Sequence, residues 1–257
     1  MASAVKKIAF FGVGADELTT VSFAIGVLNL HTKIAQQPNN NVHMDFGYAT
    51  SFNEALTKFL ANRSADVFVA IDKACVFPPP FVLDNILGGA GGGGGGGADD
   101  HGDVETTAVL GICPKPAYDW ERFLRVAGID SPEPDTERGL TYNVDLSKAK
   151  LGLATRSVEV DPSRVLFVKA IVLRRAGLER VLEKFPWNKS ETAPHKLAVF
   201  CETVRNGKYF EPHENFLDLW KQAGCKIKVD TQHPIGIMGT IPFEGACAAQ
   251  KTMLDRD

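Results

Sequence analysis

Apolar residues fall into short strand-like runs and helical stretches that alternate through the first half of the chain. Ile8–Val13 (Ile-Ala-Phe-Phe-Gly-Val) is a continuous apolar run after Lys6-Lys7, and it predicts a buried first strand ending in a glycine turn. Asp16 is placed to cap a helix on which Leu18, Val21, Ile25 and Leu28 recur at helical spacing. Val42–Tyr48 predicts a second strand. Ser51 opens a helix with Ala55, Phe59 and Leu60 on one face. Asp66–Asp72 is an apolar strand ending in a carboxylate, followed by Pro78-Pro79-Pro80 and a helix over Phe81–Leu87.

The second half is richer in strands. Val109–Cys113 predicts a short strand stopped by Pro114-Lys115-Pro116, and residues 117–160 predict short strands and loops. Val165–Leu173 predicts a strand that runs into Arg174-Arg175 and an amphipathic helix bearing Leu178, Val181 and Leu182. Asn206-Gly207 between two apolar runs signals a hairpin. His213–Trp220 reads as a helix with Phe216, Leu217, Trp220 and Ala223 inward, stopped by Gly224, before a strand at Ile227–Asp230. The sum is an α/β three-layer fold with a mostly parallel central sheet.

Gly88–Gly97 is almost pure glycine, extended by Ala98–Asp103. With maximal backbone entropy and nothing to bury, residues 88–106 are expected to form a flexible insertion within a single domain spanning 1–257. Residues 1–87 and 107–244 would then be its two halves, with a loosely held tail at 245–257.

Composition narrows the class. A formal charge of -3 over 257 residues offers no global basic field for nucleic acid. Five cysteines with no C-x-x-C pair argue against a disulfide framework or zinc ribbon, and favour a reducing, cytoplasmic setting. No apolar run is long enough to cross a bilayer.

Several residues carry candidate chemistry. Gly12-Val13-Gly14 follows the first strand as a dinucleotide loop would, but Glu17 stands where a third glycine is needed and would repel a pyrophosphate. A plain strand-to-helix turn explains those glycines better. Asp72 ends a strand at the ligand edge of an open α/β sheet, where a carboxylate holds a metal or ribose hydroxyl or simply caps the next turn. Glu214, near a helix start, is either a base stabilised by the helix dipole or ordinary first-turn acid enrichment. Asp99, Asp100, His101 and Asp103 are metal-ligand types on an unorganised loop, a poor metal site.

Four blocks together resemble the compact GT-A-fold glycosyltransferases related to glycosyltransferase family 2, of the small type found in phages and large DNA viruses. Ser51–Leu60 resembles the family's Arg-Asn-containing helix. Ala65–Pro79 resembles the strand carrying the Asp-x-Asp metal motif and the following Phe-Pro-Pro. Val165–Arg175 resembles the strand and double arginine before the acceptor-side helix. His213–Asp230 resembles the block that carries the catalytic acid. The resemblance implies a UDP- or GDP-sugar donor, a glycan or protein acceptor, and a divalent Mn²⁺ or Mg²⁺ that offsets diphosphate charge. It also implies a carboxylate base for the acceptor hydroxyl. On that pattern Asp72, Lys73 and Asn53 would bind the donor and Glu214 would be the base. In a viral setting the protein would work in the host cytoplasm or the virion.

The sequence departs from the family at those positions. Lys73 and Ala74 stand where further metal acids are expected, and no metal ligand is assigned. Asn215 replaces the family's base, Ile237 falls near the late metal histidine with His233 four residues earlier, and Phe52 replaces the helix arginine. Lys169 falls where a small glycine would admit the acceptor. Two expectations follow: a divergent, metal-independent transferase, or a chain that kept the fold as a binding or structural module. A filled cleft at Asp72, by Phe52, Lys73 or Lys169, would favour the second.

Overall fold

The computed structural model describes residues 6–15, 20–37, 42–87, 105–118, 140–147, 156–188, 197–238 and 242–243. The expectations for the glycine-rich insertion up to residue 104, the Asp99–Asp103 cluster and the tail lie outside them. Asp16 also lies outside them, and the helix it is expected to cap starts at Val21 and is capped instead by Thr20, whose side chain accepts the Phe23 N–H.

A seven-stranded mixed, largely parallel sheet organises the fold. Its strands are β1 (Lys6–Val13), β2 (Val42–Ala49), β3 (Val67–Asp72), β5 (Thr107–Gly111), β8 (Ser157–Glu159), β9 (Ala170–Arg174) and β12 (Lys226–Asp230). Their order is β2-β1-β3-β9-β5-β12-β8. β2, β1, β3, β5 and β12 run the same way, while β9 and β8 run against their neighbours. The reversal of β9 in mid-sheet is the topological fact that shapes the site. It brings the start of β9 against the end of β3.

Five helices cover the two faces: α1 (Val21–Ala35), α2 (Phe52–Ala61), α3 (Pro79–Leu87), α4 (Arg175–Lys184) and α5 (Pro212–Gln222). Alternation along β1 feeds two cores. Ala9, Phe11 and Val13 join α2, α4 and α5 on one face. Ile8 and Phe10 join α1 and α3 on the other. Small sheets add β4 (Cys75–Val76), β13 (Gly236–Met238) and β14 (Pro242–Phe243) as one unit, and pair β6 (Pro114–Tyr118) with β7 (Leu140–Tyr142). Asn206 and Gly207, both at positive φ, turn the hairpin between β10 (Thr203–Arg205) and β11 (Lys208–Phe210).

Three sequence expectations need correction. The helix at α1 forms, but its inward face is Phe23, Gly26, Leu30 and Ile34. Val21, Ile25 and Leu28, the residues that suggested it, point to solvent at 76, 51 and 66% exposure. Both faces of α1 are apolar, so periodicity alone could not choose between them. The strand expected over 165–173 is confined to Ala170–Arg174, because Val165 bridges Val144 instead. The strand expected over Val109–Cys113 ends at Gly111, ahead of the prolines, but Pro114–Tyr118 then forms a strand of its own, β6, in a separate sheet with short β7, where missing donors are tolerated.

Candidate functional site

Asp72 ends β3 at the carboxyl edge of the parallel strands, where Val13 of β1 lies beside it in register. Each of its carboxylate oxygens accepts a hydrogen bond. Oδ1 accepts the Ala74 N–H at 2.8 Å, and Oδ2 accepts the Lys169 ammonium at 2.6 Å. The pair is held from the backbone too, because the Asp72 N–H donates to the Lys169 carbonyl at 2.7 Å. Burial alone would lower the pKa of Lys169, but its hydrogen bond to Asp72 and that carboxylate's charge outweigh burial and raise it. The lysine expected to obstruct an acceptor therefore sits directly on the carboxylate expected to contact a donor.

Lys73 is 5% exposed. Its N–H donates to Val13, its carbonyl accepts the Thr20 hydroxyl, and its ammonium lies 6.0 Å from the Tyr48 ring centre. It faces the end of β2, on the other side of β1 from Lys169. Gly12 lies within β1, and a side chain there would press on Phe23 and Tyr48. Those rings cover the glycine, so it exposes no backbone to a dinucleotide.

The environment of Asp72 does not suit a divalent metal. The Lys169 ammonium on Oδ2 would repel a dication there, and each Asp72 oxygen already accepts one hydrogen bond. Ile237 is buried on β13 opposite Cys75, close in the fold to Asp72, but it offers no donor atom. His233 does not replace it. Its Nδ1 donates to Asp230 Oδ2 at 2.9 Å and its Nε2 lies 3.6 Å from Asp84. Asp230 ends β12, three strand spacings from β3, or about 14 Å away. Among the described residues no group of three or more His, Cys, Asp or Glu side chains could hold a metal ion.

Asn53 and Asn215 are brought together in an unexpected way. Asn53 on α2 exchanges two hydrogen bonds with the backbone of Phe200, at 2.6 and 2.8 Å. Asn215 on α5 is buried and donates to the carbonyl of Val199 at 3.0 Å. Two amides thus clamp consecutive residues of one segment. Phe200 stacks between Phe52 and Phe216, with ring centres 5.1 and 4.2 Å away, and Phe216 leads on to Trp220. Phe52 is one rung of this ladder.

Glu214 lies in the first turn of α5, where its carboxylate accepts the Glu211 N–H at 3.0 Å. It closes a capping box at the helix start. Its neighbour His213 donates from Nε2 to the Val165 carbonyl, and burial lowers its pKa. Arg174 donates to the Ile86 carbonyl, and Arg175 to the carbonyls of Phe59, Asn62 and Ala65. These arginines close the end of α2 and secure α3.

Sequence reasoning missed the Asp84–His233–Asp230 cluster, to which Asn85 adds a 2.6 Å bond to Asp230. The signal was Asp230 at the end of a strand, as at Asp72. A cavity of about 450 Å³, lined by Leu60, Arg63, Arg175, Glu179, Leu182 and Glu183, lies toward the opposite, amino-terminal end of β3.

No protein-family model and no curated protein sequence matches the chain. Among solved structures it is similar to A197 from STIV, with 8% identity over 93% of this chain and 94% of that one, at a TM-score of 0.41. It is also similar to apo UDP-glucose pyrophosphorylase, with 7% identity over 98% and 97% and a TM-score of 0.41. UDP-glucose pyrophosphorylase complexed with UDP-glucose matches at 8% identity over the same shares, with a TM-score of 0.37. Among the described residues, no helix is long and apolar enough to cross a membrane.

Proposed function

We propose that this chain is a GT-A-like glycosyltransferase module that no longer transfers sugar and serves as a binding or structural component. The observation that carries the proposal is the ion pair of Lys169 with Asp72. A carboxylate already neutralised by an internal ammonium has little to offer a metal–diphosphate. The family's other positions support the same reading. Asn215 cannot accept a proton at neutral pH and spends its amide on Val199. Ile237 is packed in the core. Phe52 stacks on Phe200.

A second reading rests on the same residues. Lys169 and Lys73 place ammonium groups on both sides of β1's end, and cations there would offset a diphosphate without a metal. In that reading the chain moves sugar from a UDP- or GDP-sugar to a glycan or protein acceptor. Asp72, Lys73 and Asn53 would contact the donor and Glu214 would be the base.

Thermal-shift titrations with UDP, GDP and UDP-sugars, with and without Mn²⁺, separate the two, alongside an assay for nucleotide release. The inactive module gives no Mn²⁺-dependent shift and no nucleotide release. Sugar-dependent release that Asp72→Ala abolishes overturns it. A metal-independent shift lost in Lys169→Met, together with such release, favours the second reading.

A further inference from the structure

We propose that this chain forms a two-fold dimer through the edge of β2 that no described strand pairs, β2 pairing antiparallel with β2 of a second copy about Met44. The inference is independent of whether the chain transfers sugar.

The two edges of the sheet differ. β8, at one end, has only three residues, and a short edge strand is a poor template for pairing. β2, at the other end, has eight residues and pairs with β1 in unbroken register, without a bulge. It contains no proline and no lysine. Soluble proteins block long edges with such devices, and over Val42–Phe46 β2 carries one exposed charge, Asp45, and no covering contact from a described element.

The outward backbone groups follow from the pairing. In a parallel ladder alternate residues turn both N–H and C=O toward the same neighbour. The Ala49 carbonyl accepts from Gly14 at the end of β1, so odd-numbered residues face β1. Val42, Met44, Phe46 and Tyr48 therefore face outward. Lys58 from α2 donates to the Tyr48 carbonyl at 2.7 Å, which agrees with that phase and closes one end of the edge. Val42, Met44 and Phe46 remain as the template.

Side-chain charge selects the partner and the register. His43 and Asp45 share the face toward α2, where Asp45 accepts from Asn62 at 3.3 Å. They are exposed neighbours, 3.2 Å apart. Antiparallel pairing about Met44 sets Met44 opposite its own copy and Val42 opposite Phe46. It also sets each His43 opposite Asp45 of the second copy, in the non-hydrogen-bonded positions where side chains come closest. Imidazole and carboxylate then alternate around a square, each carboxylate beside a ring N–H that can donate to it. Shifting the centre to Asp45 would put two carboxylates face to face. Shifting it to Phe46 would leave Asp45 opposite Gly47. One register alone satisfies both the hydrogen-bond phase and the charges, and it is self-complementary, as a two-fold interface must be.

On the other face the same register adds apolar contact. Met44 and Phe46 sit at the rim of the core beneath α1, only partly covered, and the Phe46 ring packs against Tyr48, itself 52% exposed. Pairing covers that rim and doubles the sheet.

Sedimentation equilibrium on the full chain tests the proposal, with three exposed-site variants. The wild-type chain should sediment at twice its 27.9 kDa mass at micromolar concentrations. His43→Glu sets like charges opposite each other twice and should weaken the dimer about ten-fold or more. His43→Glu/Asp45→Lys should restore it, while His43→Lys alone should keep it. Circular dichroism should stay native in all three, since both side chains lie outside the core. A wild-type chain that stays monomeric at 100 µM (about a hundred-fold above a micromolar dissociation constant) overturns the proposal. So does a dimer indifferent to all three variants.

Discussion

Lys169 and Asp72 meet twice: the Asp72 N–H donates to the Lys169 carbonyl at 2.7 Å, and the Lys169 ammonium donates to the Asp72 carboxylate at 2.6 Å. The first contact comes with the antiparallel approach of β9 to β3. The second exploits it to neutralise the carboxylate at the end of β3.

Lys169→Met should leave a half-buried carboxylate unpaired and lower stability by about 1–3 kcal/mol. Asp72→Asn in the same chain should recover part of that loss. A double-mutant cycle by urea denaturation measures the coupling. Zero coupling would mean the pair is incidental.

Asn215→Ala should cost about 1–3 kcal/mol, because it strands the Val199 carbonyl in the core. Asn53→Ala should act on the same segment, so the two effects should not add. Limited proteolysis should open the chain near 197–201 first in both variants. Protection there equal to wild type would argue against a clamp.

Gly177→Ala should destabilise by about 1–3 kcal/mol. A Cβ at that position would lie 2.6 Å from the Trp220 ring, which is fully buried and has little room to retreat. Trp220 also donates its indole N–H to the Lys226 carbonyl, so a shifted ring should appear in the emission spectrum.

Acid should weaken the fold in a defined window. Hydrogen bonds from Lys58 and Thr50 hold Glu54 down to about 2, from an ordinary 4.5. Lys221 and Ser163 hold Asp161 down to about 2, from 3.8. Depressed carboxylates stabilise the native state above their unfolded pKa and lose that contribution as pH falls toward the folded one. The melting temperature should drop between pH 4.5 and about 2, and Glu54→Gln and Asp161→Asn should flatten that drop. An unchanged slope in the double variant would show that other groups control the acid limb.

Thiol reactivity should separate the cysteines. Burial pushes Cys113 up to about 12 and Cys75 well above the usual thiol range, so neither should be alkylated in the native state. Half-buried Cys201 should react first among the described cysteines. Peptide mapping after brief iodoacetamide treatment reads the order directly.

Much of the fold was legible because its signals are local. The run Asp66–Asp72, the Ser51 cap, Asn206-Gly207 and Gly224 each fix backbone geometry within a few residues, and each element formed where expected. The alternation of apolar runs gave an α/β sheet, and Asp72 fell at a strand end as read. Local sequence also showed where the chain departs from the glycosyltransferases it resembles.

What those changes do was decided by tertiary structure. Lys169 reaches Asp72 across 97 positions of sequence only because β9 reverses direction in mid-sheet, and no local pattern encodes strand order. Asn53 and Asn215 look like polar residues near helix starts, yet their amides are used by a segment far from Asn53 in sequence and folded back over both helices. The solvent face of α1 was mistaken for its core face because both are apolar, and only packing against β1 and α3 chose between them. Sequence fixes what each stretch of backbone does by itself. Which charges and amides satisfy one another depends on which strands become neighbours, and that is settled by burying both sheet faces at once.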